Sequence, residues 1–275
     1  MYKLFDLSTG AKLDIARMSP IRATNQTAGI GGNGAMKGGS IEKVSLVLLG
    51  AVLALYPAAA TAQSQTTISL GSADSFAVLG GTTVTNTGLS VVNGNLGVWP
   101  GSAVTGFGPG RVNGAEDVGN TAAHHAQSSL TIAYNEAAGR SVGVEGVAGD
   151  LGGRTLSPGL YKSTSTLAIT GTLTLHGNGI YIFQVASALT VNNGSGIILS
   201  GGANAADVFW QVGSSATLGT TSSFKGTILA LTAISIATGG TLDGRALARN
   251  AAVTLDNDVV TIQVPIAPPP QARNN

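Results

Sequence analysis

The feature that most restricts the fold is a short strand pattern that returns at nearly constant spacing. Val208-Phe209-Trp210-Gln211-Val212, Thr227-Ile228-Leu229-Ala230-Leu231 and Arg245-Ala246-Leu247-Ala248-Arg249 recur about every 18 residues, a rung length typical of a chain wound in stacked coils. Each coil offers a second β-prone strand, at residues 166–170, 186–192, 214–219, 232–237 and 251–256. Strand side chains alternate between faces, so the large apolar members of each strand point inward together. They are Leu167 and Ile169, Leu189 and Val191, Ala216 and Leu218, Ile234 and Ile236, Val253 and Leu255. The outward set then reads Ala168 and Thr170, Ala188 and Thr190, Ser215 and Thr217, Ala233 and Ser235, Ala252 and Thr254: a column of small residues beside a column of hydroxyls.

Composition agrees with this reading. Charged residues are 10% of the chain against about a quarter in ordinary domains, and 40 of the 275 residues are Gly, which suits pleated, tightly turning backbone better than a helical bundle. The net charge is +1, but six of the 14 basic and three of the 13 acidic residues precede residue 63, so the chain from residue 63 onward is slightly acidic. No strong field is available to draw nucleic acid or anionic lipid. Cysteine is absent, which removes disulfides and thiolate chemistry and leaves packing and backbone hydrogen bonds to hold the fold.

Only about two thirds to three quarters of the chain reads as folded, which favours one domain. Lys37, Glu42 and Lys43 precede the apolar run 44–56, which is succeeded by Pro57 and the small-residue stretch Ala58-Ala59-Ala60-Thr61-Ala62. Residues 36–62 therefore read as a signal peptide cleaved before Gln63, the apolar run being short for a bilayer span. That implies secretion, periplasmic or extracellular, with no membrane attachment after cleavage. Met36 stands where an initiator belongs, so residues 1–35 are expected to be an upstream extension or a mis-assigned start. Gly29, Gly31 and Gly34 in that leader form G-x-G-x-x-G with no strand before them, a coincidental match.

The expected domain is 63–264. Short strands separated by Gly and Asn fill 66–112. Around 114–138 Gly thins out and Ala, Gln and Glu take over. This segment predicts a helix capped by Asn113 with Glu116, ended by Gly139, with Val118, Ala122, Ala126, Leu130, Ala133 and Ala137 on one stripe. The segment 265–275, with Pro268-Pro269-Pro270, reads as a disordered tail.

Stacked parallel strands lie about 4.8 Å apart and outward residues of one strand about 6.6 Å apart, so the two columns form an ordered grid of methyls and hydroxyls. Stiff Thr rotamers keep such a surface level, and its hydroxyls can hold ordered water that continues into a crystalline layer. Thr and Ser also suit any exposed strand. An ordinary exposed sheet, however, mixes in Lys, Glu and Arg, and none occurs among the ten grid positions.

Several further stretches extend the pattern: Phe76-Ala77-Val78-Leu79, Gly94-Asn95-Leu96-Gly97-Val98-Trp99-Pro100-Gly101, Gly159-Leu160-Tyr161, Ile180-Tyr181-Ile182-Phe183-Gln184-Val185, Phe224-Lys225-Gly226-Thr227-Ile228-Leu229-Ala230 and Leu242-Asp243-Gly244-Arg245-Ala246-Leu247-Ala248. With them, residues 66–264 closely resemble the microbial ice-binding (antifreeze) proteins. The resemblance implies a mainly β fold, an irregular right-handed β-solenoid of triangular cross-section with one long helix packed alongside. It also implies a monomer that adsorbs to ice crystals by one flat face, giving thermal hysteresis and inhibition of ice recrystallisation, with no metal or cofactor. In some members a Thr-Ala/Gly-x-Thr/Asn pattern marks that face. Here Thr232-Ala233-Ile234-Ser235 ends in Ser, and Ala251-Ala252-Val253-Thr254 lacks the first Thr. The family's solenoid winds discontinuously, its N-terminal strands packing on late coils, so Thr83, Thr85 and Asn93 are assigned to no face.

A secreted polysaccharide lyase or hydrolase on the same architecture would need clustered carboxylates. After residue 63 the acids are scattered singly apart from Glu116-Asp117, expected at the helix start where they suit the dipole, and Asp256 with Asp258 in a turn, where Asp256 offers at most a weak cation or sugar contact. His124 and His125 point about 100° apart on a helix and cannot chelate one ion as an i, i+4 pair would; they read as a solvated face. His176 precedes the turn Gly177-Asn178-Gly179. The mature chain has no G-x-S-x-G, Walker or H-E-x-x-H motif. Trp99 and Trp210 read as core rather than as sugar platforms. A surface adhesin module, the other alternative, predicts linkers and repeats beyond one domain.

Overall fold

Three short strands make one turn of the chain. Tyr181–Val185, Leu189–Val191 and Gly196–Ser200 lie on three successive faces, and the next turn begins with Val208–Val212, paired in parallel to Tyr181–Val185 with Phe183 opposite Trp210. The computed structural model describes residues 64–263; the expected leader, signal peptide and proline-rich tail lie outside the described residues. The three faces are the helix face, the ladder face, an eight-stranded sheet, and a third face.

The winding is discontinuous. On the ladder face the order is Ala103–Thr105, Thr83–Thr87, Val253–Asp256, Ile234–Ile236, Ala216–Leu218, Leu189–Val191, Leu167–Ile169, Gly149–Asp150, so the N-terminal coils stack on the last C-terminal coil. The helix, Thr121–Gly139, carries the chain back to the other end of the stack. Nineteen helical residues span about 28 Å, and the nine strands of the helix face span about 38 Å; the flanking links cover the remainder.

The helix begins later than the sequence predicts. Glu116–Val118 adds to the sheet beside Asn95–Val98 instead of opening the helix, Gly119 turns the chain at positive φ, and Asn120 is the cap, its side chain accepting from the Ala123 N–H at 3.0 Å. Val118 is therefore outside the stripe, and Ala123 rather than Ala122 is buried, with Ala126, Leu130, Ala133 and Ala137 as expected. These small residues pack on Leu79, Leu160, Ile182, Phe209, Leu229 and Leu247. Three glutamines fix the register: Gln127 donates to the Ala248 carbonyl and Gln211 to the Tyr134 hydroxyl, and Gln184 donates to the carbonyls of Ala137, Ala138 and Arg140 at the helix end. An α-helix leaves its last carbonyls without internal donors, and Gln184 supplies one from the solenoid wall.

Inside, Tyr161, Phe183, Trp210 and Phe224 form a continuous aromatic stack with centroid separations of 5.1, 3.8 and 5.1 Å. Two strands, Ser223–Ala230 and Thr241–Ala248, run through the corner from the third face to the helix face. They do so at the paired Gly226 and Gly244, where φ is +108° and +154°; a Cβ on Gly244 would stand 1.9 Å from the Gly226 carbonyl oxygen.

Candidate functional site

The ladder face has its inward residues where the alternation places them. Leu167, Ile169, Leu189, Val191, Ala216, Leu218, Ile234, Ile236, Val253 and Leu255 are each 1% exposed or less, while all ten outward residues, Ala168 to Thr254, are half-buried or exposed. Burial of the inner row fixes the register of every strand, because a slip of one residue would turn the apolar set outward.

The columns differ from the expected ones at the first coil. Ala168 lies opposite Thr190, not beside Ala188, so it belongs to the hydroxyl column. Thr170 falls at the margin of the sheet next to Asn192, whose amide donates to it at 2.8 Å. The reason is legible in the inner row: the residue between the two buried side chains is Ala168, Thr190, Thr217, Ser235 or Thr254 in successive coils. The small column consists of the residues one step before the inner pair. The amide of the residue that begins each inner pair donates to the carbonyl of Ala188, Ser215, Ala233 or Ala252 on the next strand, which sets Thr166 beside Ala188.

The N-terminal coils lengthen both columns. Thr85 lies opposite Thr254 and Thr105 opposite Thr85, with Thr83 and Ala103 in the small column; the Thr85 hydroxyl donates to that of Thr254 at 3.2 Å. Asn93 belongs to the third face, opposite Thr261. The hydroxyl column thus runs Thr105, Thr85, Thr254, Ser235, Thr217, Thr190, Ala168, a length of about 29 Å at one strand spacing per rung. Asp150 ends it, opposite Ala168. Hydrogen bonds from Thr170 and the Gly152 N–H hold the Asp150 carboxyl below the usual carboxylate range, and by filling that end they blunt an open sheet edge.

The third face, which like the ladder face has no described element packed over it, is chemically mixed. It carries the Lys225–Asp243 ion pair, Arg111 and the exposed Ile198 and Val259, with a cavity of about 610 Å³ beside Ile198, Ala203, Lys225 and Asp243. The one carboxylate lining that cavity is already paired. Elsewhere, Glu116 and Asp117 stand on a strand, not at the helix start, and Asp117 accepts from the Asn120 amide. Asp256 accepts from the Thr238 hydroxyl, and Asp258 is buried beneath the junction of the two chain halves. His176 sits 3.1 Å from the Ser200 hydroxyl. Trp210 is core as expected, but Trp99 is half-buried at the surface, 5.0 Å from His124. Among the described residues no group of three or more His, Asp or Glu side chains is placed to hold a metal ion.

Geometry of this kind defines a parallel β-solenoid that presents a repetitive surface of small and hydroxyl side chains, with the Asp150 carboxylate at its end. The chain belongs to the Ice-binding-like family, whose model matches residues 78–261. It is 48% identical over 197 residues to an ice-binding protein of Nostoc sp. (strain HG1), covering 70% of this chain and 73% of the relative, and 38% identical over 218 residues to one of Flavobacterium frigoris (strain PS1), covering 71% and 76%. Among solved structures it is similar to an ice-binding protein from an Antarctic biological consortium, with TM-score 0.71 and 48% identity over 72% of this chain and 92% of the other. It is also similar to one from the Antarctic ascomycete Antarctomyces psychrotrophicus, with TM-score 0.70 and 37% identity over 73% of this chain and all of the other.

Proposed function

We propose that the protein is an antifreeze protein that adsorbs to ice through the ladder face, with Ala168, Thr190, Thr217, Ser235, Thr254, Ala188, Ser215, Ala233 and Ala252 in contact. Thr166, Thr83, Thr85, Ala103 and Thr105 extend this surface, and Thr170 lies at its margin. The observation that carries this reading is the contrast between the two uncovered faces: one has two unbroken columns of small and hydroxyl side chains, the other an ion pair and protruding apolar groups. Adsorption to a crystal needs periodic contacts at one level. Neighbouring rungs about 4.8 Å apart carry β-branched side chains with few rotamers, so little entropy is lost on docking, and hydroxyls and methyls together order the water between protein and crystal.

The protein acts as a binder and not as an enzyme, since its relatives are named for ice binding and its acidic side chains are dispersed. It works as a monomer outside the cytoplasm, exported by the signal at 36–62; no helix among the described residues is long and apolar enough to cross a membrane. The test is direct. The purified protein from Gln63 onward should facet growing ice crystals and arrest recrystallisation in a frozen sucrose suspension at micromolar concentration. Unaltered crystal growth would refute the proposal, and release of unsaturated sugars from a polyuronate would favour the lyase alternative.

A further inference from the structure

We propose that the cleft between Trp99 and the helix, at the corner beside the ladder face, binds a carboxylated sugar residue of an anionic polysaccharide. The cleft holds about 240 Å³ and is walled by Trp99, His124, Gln127, Ser128, Thr131 and Arg249. Among the described residues no carboxylate lines it. Arg249 is the reason to expect an acidic ligand. Its guanidinium lies 4.7 Å over the Tyr134 ring, which fixes its plane; the Nε is shut off from solvent, and the two Nη groups, with no acceptor among the described residues, are left for a ligand. None of its side-chain nitrogens forms an ion pair among the described residues. A carboxylate matches the two Nη groups of the planar fork with two parallel bonds.

The rest of the cleft selects a sugar over a simple anion. Trp99 is half-exposed with His124 tilted 52° against it, and an indole with part of its ring in solvent suits the C–H face of a pyranose ring. The Ser128 and Thr131 hydroxyls already donate to the carbonyls of His124 and Gln127, which leaves their oxygens as acceptors for sugar hydroxyls. Gln127 is anchored to Ala248 and keeps the wall rigid. Trp99 and Arg249 each shortly precede a ladder strand, Ala103–Thr105 and Val253–Asp256, yet no ladder residue lines the cleft. A polymer held there leaves the columns open, so the protein would be retained in a polysaccharide matrix with its crystal-facing side free.

Tryptophan fluorescence reads this site selectively. Of the two tryptophans, Trp210 is stacked in the core between Phe183 and Phe224 and out of a ligand's reach. Titration with a mannuronate tetrasaccharide should give a saturable change, and a neutral mannose tetrasaccharide or acetate should give none. Arg249→Gln should weaken the response by about tenfold or more. Thr131→Phe, which fills the cleft and removes one of its acceptors, should abolish it; both variants should shape ice as the wild type does. No saturable change with the mannuronate, an equal response to the neutral sugar or to acetate, or an unaffected Thr131→Phe would overturn the proposal.

Discussion

Asp258 provides a quantitative test of how the two halves of the chain are joined. It is fully buried, its carboxylate accepting from the N–H groups of Gly240 and Asp256 while its own N–H donates to the Ser90 hydroxyl across the junction with the N-terminal coils. Burial pushes its pKa up from 3.8 to about 7, against the pull of the two N–H donors and with a further push from Asp256. A folded-state pKa above the unfolded one means that stability is greatest below pH 3.8. It is lost as pH rises through about 7 and is constant beyond. The gap between 3.8 and about 7 corresponds to about 4 kcal/mol, and for a domain of this size that is a fall in Tm on the order of 10 °C. Asp207, raised by burial, acts in the same direction, whereas the depressed Asp150 acts in the acid range. The difference between wild type and Asp258→Asn therefore isolates the junction. Calorimetry from pH 4 to pH 8 should show Tm falling in the wild type and a much flatter profile in Asp258→Asn. An equal fall in both proteins would refute the reasoning.

Two further variants probe the parts that hold the ladder level. Gln184→Ala leaves the carbonyls of Ala137 and Arg140 without their solenoid donor and should cost about 1–3 kcal/mol, read as a lower Tm with unchanged ice shaping below it; a Tm equal to wild type would contradict the capping role. Phe183→Ala opens a hole between Tyr161 and Trp210 and should cost about 3–5 kcal/mol. Its urea midpoint should drop well below that of Phe183→Leu, and equal midpoints would argue against a tightly packed stack.

The ladder is legible in the sequence because two residue types do separate work at period two: the inner Leu, Ile and Val pairs fix the register, and whatever alternates with them must face out. Sorting the outer residues into columns needs one more step. In the first coil the outward residue after the inner pair, Thr170, imitates the one within it, Ala168, and only matching Leu167 to Leu189 removes the ambiguity. The faces of Thr83, Thr85 and Asn93 are not legible, since the partners of Thr85 and Asn93 lie some 168 residues away and no local pattern reports a pairing that distant. The helix start is misleading because Asn113 with Glu116 imitates a capping box, whereas the decisive competitor, an open strand edge at Asn95–Val98 that Glu116–Val118 completes, is a tertiary fact. Asn120, three residues before the buried Ala123, is the better cap signal. Trp99 lies in an apolar run ending at Pro100, and hydropathy alone does not separate a core indole from one lying on a helix shoulder.

Where ice docks is measured most directly by placing one bulky side chain on each uncovered face. Thr190→Tyr and Ala233→Tyr raise a ring above the columns, while Thr241→Tyr does the same on the third face. Surface substitutions of this kind change stability by only about 0.5 kcal/mol, so differences in thermal hysteresis report contact and not folding. The two ladder variants should lose most of their hysteresis, and Thr241→Tyr should keep it. Hysteresis retained in both ladder variants, or lost only in Thr241→Tyr, would contradict docking through the ladder face.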